Sequence, residues 1–269
     1  MVQAPNLAAV PVFPAQRRAR ILAFLQSHGA VTLKQLAQAL EASVSTLRRD
    51  LDELESEGLL DRTHGGAMLR QQTYATFEPA PGAAAELSPR EKEAIGAAVA
   101  ARLRPGMSVI FDSGTTTLAA ARAAVARGVA LVAVTNDIAI AQVLGSHSHN
   151  RVHVLGGQLR ADSNTLTGDS VLSAVSALQA DVLLLGVHAV TQGVLSETHP
   201  EVVAGKQAFQ RAAQACWLLV DSSKFRPRAF MRVGDVSQVH ELFTDADPPA
   251  AEAAQLRKRG IQVTVAGRT

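Results

Sequence analysis

The chain has 269 residues, of which 47% are hydrophobic but only 4% aromatic, and its formal net charge is +2. That length leaves room for about two domains, and the near-balanced charge excludes nucleic-acid binding through a generally basic surface, so any such contact must be local. The single cysteine, Cys216 between Ala215 and Trp217, excludes an internal disulfide and reads as a core residue in a reducing compartment.

No basic-then-apolar leader opens the sequence, and no apolar run reaches about 18 residues, so a soluble cytoplasmic chain without a membrane partner is expected. Pro5, Pro11 and Pro14 break up the start of the chain, whose first dozen residues read as a loose arm. From Ala15, the stripe Ile21, Leu22 and Leu25 predicts an amphipathic helix that Gly29 stops. Thr32 caps a second helix carrying Leu33, Leu36, Ala37 and Leu40. Ser43 caps a third with Leu47, Leu51 and Leu54, and Gly58 ends it. Two short helices across a tight turn predict a helix-turn-helix. Ser43, Ser45, Thr46, Arg48 and Arg49 lie toward the start of the third helix, where a recognition helix touches bases and phosphates. The alternative pairs Arg48 and Arg49 with Asp52 and Glu53 on a solvated helix face. Around Gly65 and Gly66 a hairpin is expected, a wing whose Arg62 and His64 could reach DNA backbone or minor groove.

Residues 71–89 hold Pro79, Pro81, Gly82 and Pro89 and read as a linker between a DNA-binding domain, 15–70, and an effector domain, 90–269. A helix is expected from Arg90, ended by Pro105 and Gly106. Strand-like runs follow at 108–112, 129–135, 152–155, 182–187, 217–221, 241–244 and 261–265. Helical segments at 116–127, 137–145, 169–178, 202–215 and 250–259 separate most of them. That alternation predicts an α/β class fold, with a mostly parallel sheet covered by helices on both faces. Such sheets bind ligands beyond the carboxyl ends of their strands.

The strand ends carry the informative residues. After the first come Asp112, Ser113, Gly114, Thr115, Thr116 and Thr117, a hydroxyl-rich turn into a helix whose free N–H groups and dipole suit a phosphate, or simply a capped helix. After the second come Asn136 and Asp137. Gly156 and Gly157 follow the third, and Gly168 and Asp169 open the next helix. His188 follows the fourth strand, and Lys224 follows the fifth. Glycines, hydroxyls and one cation at one edge suit a small phosphorylated polyol. Glu201 and Lys206 on the following helix could reach the same pocket or form a solvated face.

These residues resemble the DeoR-type bacterial transcription regulators. The resemblance rests on Arg17–Leu22, on Ser43–Leu51 with its Thr-Leu-Arg-Arg-Asp-Leu core, and on Arg62–Ala67 with its His-Gly-Gly. It continues through Asp112–Thr117, Thr135–Asn136, Gly156–Gly157 and Asp221–Phe225, and so covers residues 15–266. Ala42 and His188 depart from it, where the family usually has valine and often has aspartate. The resemblance implies a winged helix-turn-helix joined to a domain that senses a sugar phosphate, with kinship to ribose-5-phosphate isomerase-like folds and control of a repressor. A homo-oligomer, dimer or tetramer, is expected on a repeated or palindromic operator, because one head of balanced charge binds weakly.

The rival is an isomerase-like enzyme fused to a DNA-binding head. Such an enzyme needs a carboxylate base, yet after Gly186 no acid appears before Glu197. No Gly-x-Gly-x-x-Gly follows the first strand, so no nicotinamide cofactor is expected. His147 and His149 lack a third ligand, so no metal is expected either.

Overall fold

A computed structural model of the protein describes residues 13–28, 30–63, 65–69, 84–85, 87–161 and 163–268. The chain divides into two units, 1–70 and 71–269, each with its own core. The arm over 1–12, most of the expected linker (71–83 and 86) and His64 lie outside the described residues.

In the first unit, helices α1 (Pro14–His28), α2 (Leu33–Leu40) and α3 (Val44–Ser56) pack their leucine stripes together. Ile21, Leu25, Leu36, Leu47 and Leu51 are each 0% exposed. Thr32 forms a full capping box with Gln35, and Ser43 Oγ accepts from the Thr46 N–H, so both sequence-predicted caps form. Between α2 and α3, Glu41 takes a left-handed conformation, φ 49°, which makes the sharp turn. Strands β2 (Leu60–Thr63) and β3 (Gly66–Leu69) form the wing. A short β1 (Ala30–Thr32) joins it as the outer strand, in the order β1-β3-β2.

Gly66 pairs with Thr32 across that sheet, and a Cβ there would lie 1.8 Å from the Val31 carbonyl oxygen. Backbone cannot yield as a side-chain tip can. Gly66→Ala should therefore destabilise the first unit by about 3 kcal/mol. The expected readout is an early thermal transition in circular dichroism. Fluorescence of Trp217, the sole tryptophan, should keep its own transition, because that residue sits in the second unit.

The second unit begins with α4 (Pro89–Arg102), β4 (Ser108–Phe111), α5 (Thr115–Ala126), β5 (Val132–Thr135), α6 (Ile138–Gly145) and β6 (Arg151–Val154). A small hairpin, β7 (Gln158–Leu159) and β8 (Leu166–Thr167), leads to α7 (Asp169–Ser176) and β9 (Ala180–Leu185). Strands β10 (Ala189–Thr191) and β11 (Val194–Glu197) precede α8 (Pro200–Ala212) and β12 (Ala213–Leu219). The chain closes with β13 (Met231–Asp235), β14 (Glu241–Thr244), α9 (Ala250–Lys258) and β15 (Gln262–Val265). Seven strands make one all-parallel sheet, ordered β15-β14-β12-β9-β4-β5-β6.

Alternate residues of each strand feed opposite faces. Ile110, Leu183 and Leu185 pack with Phe209 and Val233 on one side. Val109, Phe111 and Leu184 pack with Ile95, Ala120 and Phe243 on the other. The sheet is thus covered on both faces, as the apolar runs predict. The strand order reverses beside β4, with β5 on one side and β9 on the other, and crevices for ligands open at such switch points.

The structure corrects the sequence reading at three places. The helix expected over 202–215 runs from Pro200 to Ala212, and residues 213–216 instead open β12, pairing Ala213 with Ala180 and Cys216 with Leu183. The strand expected at 129–135 begins only at Val132. An antiparallel sheet, β10-β11-β13, and the β7-β8 hairpin had no counterpart in that reading.

Candidate functional site

On the first unit, α3 carries the acids Asp50, Asp52 and Glu53 on faces met by cations from elsewhere. Arg17 binds Asp50 through Nε at 2.5 Å and Nη2 at 3.0 Å. Arg18 pairs with Glu53, and Arg62 of the wing pairs with Asp52. Arg48 and Arg49 are exposed, and neither forms an ion pair with a described residue. The alternative that placed Asp52 and Glu53 as their partners is not what the structure holds: those acids meet Arg62 and Arg18 instead. Two exposed guanidinium groups on α3 are therefore without an ion-pair partner among the described residues. Ser45 is exposed, whereas Ser43 is spent on capping and also meets the Ser45 and Thr46 hydroxyls. Arg62 also donates to the Arg48 carbonyl, so it braces α3 from the wing.

On the second unit, the carboxyl ends of β4 and β9 are tied by a buried charge network. Lys206 Nζ, on α8, lies 2.5 Å from Asp112 Oδ2 and 3.4 Å from Glu197 Oε1, and donates to the Gly186 carbonyl at 2.9 Å. The Gly186 N–H donates to the same Asp112 oxygen. Burial opposes the Lys206 charge, but Asp112 and Glu197 outweigh it and hold the ammonium above its ordinary value.

Beside this network lies a cavity of about 190 Å³. Asp112, Ser113, Asn136 and Gly168, all singled out in the sequence, line it. So do Leu166, Thr167, Asp169, Val171, Leu172, Glu201, Val202, Ala204 and Gly205. Asn136 is 4% exposed. Its Nδ2 donates to the Leu166 carbonyl at 2.9 Å, while its Oδ1 is buried without a hydrogen-bond partner.

The other sequence candidates sit outside the lining. Thr117 donates to the Gly114 carbonyl at 2.8 Å, and Thr116 and Thr117 are buried in the first turn of α5. Asp137 caps α6 through the Ala139 and Ile140 N–H groups. A Cβ on Gly157 would approach the Thr167 carbonyl to 2.5 Å, so that glycine answers to strand packing, while Gly156 is open. His188 is buried, and its carbonyl accepts two bonds from Arg226. Burial, with Arg226 and Lys224 nearby, holds its imidazole well below the usual histidine range, hence neutral. Burial and Arg226 pull the Lys224 ammonium down to about 8, and it makes no ion pair with a described residue. Asp169, noted in the sequence only as opening a helix, and Glu201, left there between the pocket and a solvated face, are both lining acids. Their signal was available: each is a first-turn acid, behind Gly168 and Pro200 respectively.

Residues 88–246 match the DeoR C terminal sensor domain, and residues 17–73 match the DeoR-like helix-turn-helix domain. The glycerol-3-phosphate regulon repressor of Escherichia coli (strain K12) is 32% identical over 250 residues, 92% of this chain and 97% of its own. The HTH-type transcriptional repressor GlcR of Bacillus subtilis (strain 168) is 30% identical over 94% of this chain and 97% of its own. Both relatives are named as repressors, not enzymes. Among solved structures, ribose 5 phosphate isomerase A from Neisseria gonorrhoeae aligns with 51% of this chain and 53% of its own, at 15% identity and TM-score 0.38. A Pyrococcus horikoshii OT3 translation initiation factor eIF-2B aligns over 87% and 90%, at 11% identity and TM-score 0.42. Among the described residues, no helix is long and apolar enough to cross a membrane.

Proposed function

The chain belongs to the DeoR family of transcriptional regulators, and from that premise we propose that it is a cytoplasmic repressor of a sugar-metabolism operon whose operator affinity is set by a phosphorylated sugar. The side-chain oxygen of Asn136, Oδ1, carries the effector half of this reading. A buried acceptor left unpaired costs about 1–3 kcal/mol, which a ligand hydroxyl donating to it would recover. The phosphate fits the N-terminus of α5. Its first turn holds no acid and the N–H groups of that turn have no intrahelical partner, while the Gly114 N–H before it is taken by the Asp137 carboxylate. Lys224, at the end of β12, adds positive charge at the same sheet edge. The neutral His188 suits a sugar hydroxyl.

The isomerase alternative has less support. Of the buried acids near the β9 end, Asp112 is held by Lys206 and Glu197 lies against the same ammonium, so neither is a free base, which leaves only the exposed helix-start acids Asp169 and Glu201. The exposed Arg48 and Arg49 carry the DNA half. Two such heads in a homo-oligomer would read a repeated or palindromic operator, with ligand and DNA coupled by about 1–3 kcal/mol.

The test is fluorescence anisotropy on operator fragments selected from a random-sequence pool, titrated with a panel of phosphorylated sugars. At least one should change the affinity of the natural chain for DNA. Asn136→Ala should keep DNA binding yet need about tenfold more of that sugar. If no sugar phosphate alters DNA affinity, the effector assignment falls. If Asn136→Ala responds like the natural chain, the cavity is not the ligand site.

A further inference from the structure

The polar groups lining the cavity are unequal in kind. None of the lining residues is a lysine, arginine or histidine, while three are carboxylates: Asp112, Asp169 and Glu201. Asp112 is already filled by Lys206 and the Gly186 N–H. Asp169 makes no hydrogen bond or ion pair with a described residue. Glu201 has His199 Nδ1 at 4.0 Å, which is charged only if protonated. Asn136 Oδ1 is a further acceptor, buried and unpartnered in the same lining. The Thr167 hydroxyl donates away from the cavity, to the Gln158 carbonyl. The site therefore offers acceptors and negative charge to whatever enters it.

Helix dipoles explain where the two free acids stand but sharpen the conclusion. Asp169 and Glu201 lie in the first turns of α7 and α8, so the positive ends of those helices are already matched by carboxylates. A phosphate would meet like charge there; at α5 the first turn itself holds no acid, although the Ser113 and Gly114 N–H groups before it already serve Asp112 and Asp137. A ligand spanning the site would thus place its anionic end at α5 and its donor-rich end between α7 and α8. A hydroxyl donates one hydrogen bond, while an ammonium donates three and carries the complementary charge.

We propose that the effector is an amino-sugar phosphate, its ammonium group held between Asp169 and Glu201 and a hydroxyl donating to Asn136. This rests on the sugar-phosphate reading above and names the class of sugar. The experiment compares 2-amino-2-deoxyhexose 6-phosphates of gluco and galacto configuration with the matching hexose 6-phosphates, by calorimetric titration into the full chain. The natural chain should bind an amino sugar about tenfold more tightly than its hydroxyl counterpart. Asp169→Asn with Glu201→Gln should close that gap by weakening the amino sugar. Both side chains are exposed at the cavity mouth, and an unchanged Trp217 unfolding curve reports an intact fold. Equal affinity for both sugars in the natural chain overturns the proposal, as does a preference that survives in the double variant. If none of the four binds while another phosphorylated sugar of the panel shifts operator affinity, this proposal falls and the sugar-phosphate reading stands; if no phosphorylated sugar does either, both fall.

Discussion

Lys206→Met should lower the stability of the second unit by about 3–5 kcal/mol, the cost of stranding a buried charge. The ammonium is 3% exposed and Asp112 is 1% exposed, so water cannot replace the lost cation. Glu197, 3.4 Å from the same nitrogen, would be stranded too. Urea unfolding followed by Trp217 fluorescence measures the loss, since Trp217 packs against Phe243 with ring centroids 5.4 Å apart inside this sheet. Adding Asp112→Asn should recover part of it, because replacing both members of a buried pair is far less costly than removing one. A double variant as unstable as the sum of the singles would deny that the two side chains act as a pair. The pH dependence has a definite sign. Lys206 is raised above its unfolded value, so its contribution is fully present below the ordinary lysine range and lost only as pH rises beyond it. A decline between pH 6 and 9 confined to the natural chain and absent in Lys206→Met would contradict the assignment.

This network shows what the sequence made legible and what it hid. Asp112, Asn136 and Gly168 could be found because each sits where an apolar strand stops or a helix starts, a local pattern. The network's geometry could not. Lys206 reaches Asp112 across 94 positions of chain, and its helix follows the β10-β11 hairpin that the sequence reading passed over. That hairpin had a signal. Gln192 and Gly193 take φ 51° and 79°, and Glu252 accepts both of their N–H groups, at 2.5 and 3.0 Å. A two-residue turn with both φ positive is the favoured hairpin connection, usually written Asn-Gly, and Gln-Gly is its rarer form. Missing it also put the start of α8 two residues late, which left Glu201 at the edge of consideration. The alanine-rich stretch 211–216 failed for another reason. Its propensity is helical, but pairing with Ala180–Leu183 in the sheet centre overrides a weak local preference. In the first unit almost everything was local, so caps, stripes and turns sufficed. The exception was which cation meets which acid on α3, which depends on α1 and the wing.

That exception sets the second large effect. Arg48→Ala and Arg49→Ala should each weaken binding to the selected operator by roughly 5- to 150-fold, or about 1–3 kcal/mol, where the side chain reads a base edge. Neither should alter the thermal transition of the first unit, because both guanidinium groups are exposed and unpaired with described residues. Arg62→Ala is the informative contrast. Its loss frees Asp52 and removes the bond to the Arg48 carbonyl, so it should lower stability as well as affinity. The role of each α3 arginine then follows from two titrations, on operator and on scrambled DNA, across a range of salt. A residue that reads a base loses affinity for the operator alone. A residue that neutralises a phosphate weakens both DNAs alike and lowers the salt slope by about one. Arg→Lys separates charge from shape: lysine keeps the slope but lacks the planar fork that grips a guanine edge at two points. Unchanged operator affinity in both alanine variants would remove α3 as the recognition helix. Since the acids beside these arginines are already held by Arg17, Arg18 and Arg62, no ion pair within the described residues would remain to explain why two unneutralised cations sit on that face.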